Sequence, residues 1–175
     1  MVPTEGSLVD INTVLAADRE AVSDLIAATQ KCEGAWTAPR APGKWSPSQI
    51  VEHVARALEE SANVVSGAPS KFPTLPAFLR PLVRGLFFNR VLKKRAFPKA
   101  KTSKAFNPAS GPGTPAEARV RLEAALAKFD QACRARAASD QNIRSGIFGT
   151  VSVEDYARFQ ALHISHHCKQ MPSAG

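Results

Sequence analysis

The chain has 175 residues, 44% of them apolar, enough for one domain with a sizeable core and too few for two. Its formal net charge of +8 is unevenly spread: ten Lys or Arg and no Asp or Glu fall between Lys71 and Lys104, which leaves the rest of the chain at about −2. A single basic stretch implies a local patch and argues against a whole surface built for polyanions, so nucleic acid is a disfavoured partner. The three cysteines, Cys32, Cys133 and Cys168, are odd in number and form no C-x-x-C pair, which argues against a disulfide framework and against a thiolate zinc knuckle. Met1 to Asp10 has no basic run followed by an apolar one, and the apolar stretch Phe78 to Leu92 is broken by Arg80, Arg84 and Arg90. A soluble, cytoplasmic protein without a transmembrane segment is expected.

Leu8 to Lys31 carries Leu8, Ile11, Leu15, Val22, Leu25 and Ile26 near helical spacing without internal Gly or Pro, which predicts a first helix. Gly34, Pro39, Pro42 and Gly43 then form a connector flanked by Trp36 and Trp45, which are expected to fold it against the bundle. Ser46-Pro47-Ser48-Gln49 opens a second helix, with Ser46 as N-cap, Pro47 at the first helical position and Gln49 completing a capping box. Ile50, Val54, Ala57, Leu58 and Ala62 make its apolar stripe, with His53 beside that stripe, and the helix should end near Gly67.

Ala68 to Gly113 is less regular. Leu79, Leu82, Val83, Leu86, Phe87, Val91 and Leu92 repeat at helical spacing from about Pro76 to Arg95, with Lys93-Lys94-Arg95 where cations favour a helix C-terminus. Pro98 to Gly113, rich in Lys, Pro, Ser and Gly, reads as a loop with no reason to pack. Thr114-Pro115-Ala116-Glu117 repeats the capping grammar and starts a helix to about Ala138. After a turn-rich connection, Ser139 to Thr150, Ser152 caps a last helix over Val153 to Met171, and Pro172 prevents much extension. Five helical segments and no convincing strand predict an all-α bundle in one domain over residues 1–175.

Three of the four histidines, His163, His166 and His167, lie in that last segment. His163 and His167 are four apart and so stand one above the other on a helix face, the spacing of a helical metal pair. The remaining one, His53, is on the second helix, and a bundle that apposes the two helices would complete a three-histidine set. Neutral imidazole suits zinc, copper, iron and nickel, and three protein ligands leave a position open, as catalytic zinc sites do.

The segment from Lys44-Trp45-Ser46-Pro47 through Glu52-His53-Val54, together with His163-x-x-x-His167-x-x-Gln170, resembles the DinB-like superfamily, which includes the YfiT-type proteins. His166 beside His167 and the Phe148-Gly149 turn look closer to a branch without assigned reactions. The resemblance implies a four-helix core with one extra helical excursion, at Ala68 to Gly113. It also implies one divalent metal, zinc or nickel, on His53, His163 and His167, a metal-dependent hydrolase or thiol-dependent transferase, and a homodimer.

The neighbouring residues divide into candidates and bystanders. His166 is a substitute ligand or, more simply, an imidazole outside the ligand set, because the i+4 partner is already present. Gln170 continues the face and is placed to hydrogen-bond a ligand's far nitrogen. Tyr156 reads as a core aromatic, Cys168 as a small buried residue, and Glu52 points about 100° away from His53, which makes it a poor general base. No other carboxylate falls on the ligand faces, which weakens a specific hydrolytic mechanism. The expected partner is a small-molecule substrate, anionic or a low-molecular-weight thiol. The basic segment reads as solvated surface, and its alternative roles are an anionic ligand, nucleic acid, or an acidic membrane touched through Phe78, Phe87 and Phe88. The rival function is a non-enzymatic binding protein acting through residues 71–104.

Overall fold

The computed structural model describes residues 10–98 and 102–172. Four long helices form the body: α1 (Ile11–Gln30), α2 (Pro47–Ser66), α5 (Pro115–Ala138) and α6 (Val153–Cys168), with the short helices α3 (Arg80–Val83) and α4 (Asn89–Lys94) between α2 and α5. The expected start of the first helix at Leu8 lies outside the described residues. Asp10 caps α1 by accepting from the Asn12 amide. Both halves of the Ser46/Gln49 capping box are made, and Gly67, at φ +82°, ends α2 in the left-handed region that an L side chain resists. Thr114 and Ser152 cap α5 and α6 through the amides of Glu117 and Asp155. The Asp155 carboxylate pairs with Arg158, 3.2 Å away, so only the Ser152 half of that cap is formed.

The helices pack as a ring in which α1 lies against α5 and α6, and α2 lies against α5. Leu15, Leu25, Val51, Val54, Leu58, Leu122, Phe129 and Ile164 are fully buried between them. Arg121 of α5 ties the α2–α5 seam by donating to Glu52 and Glu59. The fourth side of the ring is different: α2 and α6 touch far less than the other long neighbours do. That gap is where the site forms.

Two expectations for the connecting segments are overturned. The Ser139–Thr150 connection contains an antiparallel hairpin, β1 (Ile143–Ser145) and β2 (Gly149–Val151), paired Ile143 to Val151 and Ser145 to Gly149. Three-residue strands leave too short an alternation to read, and this one is held from outside, by Arg84 donating to the Thr150 carbonyl at 2.7 Å and Leu75 N–H donating to Gly146 O at 2.9 Å. The second concerns Pro98 to Gly113, of which the described residues from Phe106 onward pack closely. Trp36 Nε1 and Ser48 Oγ both donate to Pro112 O at 2.7 Å, Gln49 donates to Pro108 O at 3.1 Å, and Phe106 is buried. At Gly111 a Cβ would stand 2.1 Å from the Ser48 carbonyl oxygen, so only glycine permits this approach to α2.

The predicted helix over Pro76 to Arg95 is made as α3, a π turn over Arg84–Phe88 and α4. The turn shifts the helical register between α3 and α4; Phe88 and Val91 are buried, while Phe78, Leu82 and Leu86 are exposed. Of the three phenylalanines suggested for membrane contact, Phe88 is therefore in the core and Phe87 is half-buried against Phe148 and Phe159. No helix among the described residues is long and apolar enough to cross a membrane.

Candidate metal centre

Capping at Ser46 fixes where α2 begins, and from there His53 falls two turns in, on the side that faces α6. Ser152 does the same for α6, placing His163 and His167 on one face at i, i+4. The structure brings these three together: His163 Nε2 is 3.3 Å from His53 Nε2 and 3.1 Å from His167 Nε2, and one nitrogen of each lies within 4.8 Å of the others. His53 and His167 are buried, and His163 faces a cavity.

The far nitrogens decide what the near ones present. His53 Nδ1 lies 2.9 Å from the carbonyl of Phe106, an acceptor only, so Nδ1 carries the proton and Nε2 of the neutral ring carries a lone pair. His167 Nδ1 lies 2.9 Å from Gln170 Oε1, which sets the same tautomer. Two of the three converging nitrogens are thus bare lone pairs, and His163 is left as the sole source of a proton between them. A cation resolves that arrangement. Burial holds all three imidazoles neutral: it depresses His53, drives His163 well below the ordinary value together with the neighbouring His167 and His53, and takes His167 down to about 3. Neutral imidazole is the form that binds metals, so the donor set fits a divalent ion.

His166 stands outside the cluster. Its Nε2 accepts from Gln170 Nε2 at 3.0 Å, so Gln170 links it to His167. Trp45 covers the group, with its ring centroid 4.7 Å from that of His53, and is itself held by donating to Asn107 Oδ1 at 2.9 Å. Glu52 is directed to Arg56 and Arg121, away from the histidines. Tyr156 is buried, donates to Ser61 Oγ at 3.4 Å, and has its hydroxyl pushed up to about 12 by burial, which keeps it protonated and removes a role as a base near neutrality. Cys168, expected to be buried, is half-exposed, whereas Cys32 and Cys133 are buried.

Beside the histidines is a cavity of about 740 Å³, within the range of small-molecule sites. Phe72, Phe87, Phe97, Phe148 and Phe159 line it, and Gln160 sits in its wall. Sequence reasoning missed Phe106, Phe97 and Gln160. Phe106 and Phe97 are the isolated large apolar residues of a polar, Pro-rich stretch, and Gln160 is one turn before His163 on the same helix face; both signals are legible in hindsight.

A family model described as the DinB superfamily matches residues 14–171. No curated protein and no solved structure matches the chain.

Proposed function

The chain belongs to the DinB superfamily, and from that footing we propose that it holds one divalent metal ion, zinc or nickel, on His53, His163 and His167 and uses it on a small molecule in the adjoining cavity. The observation that carries this reading is the pair of fixed tautomers, which aims two lone pairs and a third imidazole at one point. Three nitrogen ligands beside a cavity leave room for a substrate, and an ion held there would supply Lewis acidity. The chain's own residues do the rest. The Phe106 carbonyl and the Gln170 amide orient the rings, Trp45 screens them from one side, and the phenylalanines exclude water from the reacting end of the ligand.

The reaction we propose is a hydrolysis or a thiol transfer. No Asp or Glu lines the cavity among the described residues, so proton movement falls to His166, whose imidazole reaches the same cavity. Protein prepared without a histidine tag or chelator should carry close to one equivalent of metal, and His53→Ala should lose most of it. Absence of metal, with no thermal shift on adding any divalent ion, would rule the reading out.

A further inference from the structure

The cavity has a chemical character that the histidines do not explain. Its walls are aromatic, and the charged residues among its lining are cations only: Arg40, Lys44 and Lys169, all exposed at its mouth. Among the described residues none of the three pairs with a carboxylate within ion-pair distance. Deeper in, Gln160 is only 3% exposed, yet its Oε1 has no hydrogen-bond partner. A buried acceptor without a partner is a standing cost to the fold, and at a cavity wall it is a cost that a donor on a bound ligand would relieve. The terminal torsion of glutamine is broad, so the amide turns toward an incoming group with little strain.

We propose that the cavity selects an amphipathic organic anion: a flat apolar body among Phe72, Phe97 and Phe159, an N–H or O–H on that body donated to Gln160, and an anionic group at Arg40 and Lys44. Each part follows from one feature of the wall. Closely packed rings, such as Phe72 stacked on Phe106 at 4.5 Å and Phe97 tilted against Phe159 at 4.8 Å, favour a planar guest. Unpaired cations over an apolar pocket favour an anion because no carboxylate competes for them. A neutral ligand without a donor would leave the Gln160 acceptor unsatisfied.

This selectivity deepens the metal reading, naming the substrate class of the same site, and it is measurable with or without the ion. The probes are 1-anilinonaphthalene-8-sulfonate, which has an aromatic body, an N–H and a sulfonate, and N-phenyl-1-naphthylamine, which lacks the sulfonate. Fluorescence titration of metal-loaded and chelator-stripped protein should show the sulfonate bound at least about tenfold more tightly, the scale of one well-placed charge contact. Replacing both Arg40 and Lys44 by Ser should bring the two probes to within about twofold of each other. Gln160→Leu should weaken both by about tenfold while leaving the melting temperature unchanged or higher, an outcome that a merely structural glutamine would not give. Equal affinity for the two probes in the parent protein, or unaltered binding in Gln160→Leu, overturns the proposal. Protein that binds the sulfonate but takes up no divalent ion would sink the metal reading and leave this selectivity standing; protein that holds its ion but shows no preference would do the reverse.

Discussion

At the scale of single residues, the difference between His166 and its neighbours is a matter of which nitrogen is free. His163 and His167 share the face that meets His53, whereas His166 is turned to Gln170. His163→Ala and His167→Ala should each lower metal affinity strongly, and His166→Ala by no more than about tenfold. Gln170→Leu should cost about 10–100-fold, because it releases the His167 tautomer without removing a ligand. Competition against a fluorescent chelator reads all four variants together. If His166→Ala proves the most damaging, the site is built on the i, i+3 pair His163 and His166, and His167 is not a ligand. The histidine pair was visible in the sequence because helical periodicity converts spacing into direction. The His167 tautomer was visible too, through Gln170 on the same face, but that of His53 was not, because it depends on the Phe106 carbonyl, which arrives from 53 residues away.

Elements are held by contacts of two kinds, and each makes a prediction. The strap from Phe106 to Gly113 lies on the N-terminal end of α2 and delivers the His53 acceptor, so its seat at Gly111 should control the site from a distance. Gly111→Ala must move either the strap or Ser48, and we expect weakened metal affinity with the bundle intact by circular dichroism. Parent affinity in that variant would show that the strap is not needed to orient His53. The capping boxes made the helices legible, but the strap was hidden by its composition: Lys, Pro, Ser and Gly look solvated, and here the packing is carried by backbone carbonyls of Pro108 and Pro112 that no side-chain pattern reports. The second kind is the α1–α5 seam, where Asp18 is fully buried with neither carboxyl oxygen hydrogen-bonded. Burial, helped by nearby Asp130 and opposed by Arg19, holds its carboxyl well above the usual range. Between the unfolded value near ~3.9 and that raised value the folded state binds the extra proton, so stability falls as pH rises through the window. Asp18→Asn removes this dependence. Its melting temperature should match the parent's near pH 4, and the advantage over the parent should grow as pH rises through the window and then level off. A variant that gains nothing at pH 8 would mean that the carboxyl is solvated after all.

For the whole molecule, one asymmetry of the bundle produces the site. Three sides of the helix ring close tightly, and the fourth, between α2 and α6, is filled in part by the π turn, the hairpin and the strap, with Phe88 and Phe148 against Phe159 and Phe106 against His53. The all-α architecture and its extra excursion followed from periodicity together with family resemblance. The cavity did not, since it depends on Phe87, Phe97, Phe106 and Phe148, which belong to four separate segments. The basic stretch also has a larger structural share than its charge suggested: Arg80 donates to the Leu75 carbonyl and Arg84 to that of Thr150, which anchors the excursion to the hairpin. These two arginines are tethers, and among the described residues the exposed charge of the segment is carried by Lys71, Arg90, Lys93, Lys94, Arg95 and Lys104.

Everything proposed for the site rests on three histidines from opposite ends of the chain sharing one ion. Anomalous diffraction from crystals of tag-free protein, recorded at the absorption edges of zinc and nickel, locates such an ion without reference to activity. We expect a single strong peak bounded by the Nε2 atoms of His53, His163 and His167, about 2.0–2.1 Å from each if the ion is zinc. A peak at His166 and Gln170, or none beside His53 in crystals grown with the metal supplied, would contradict it.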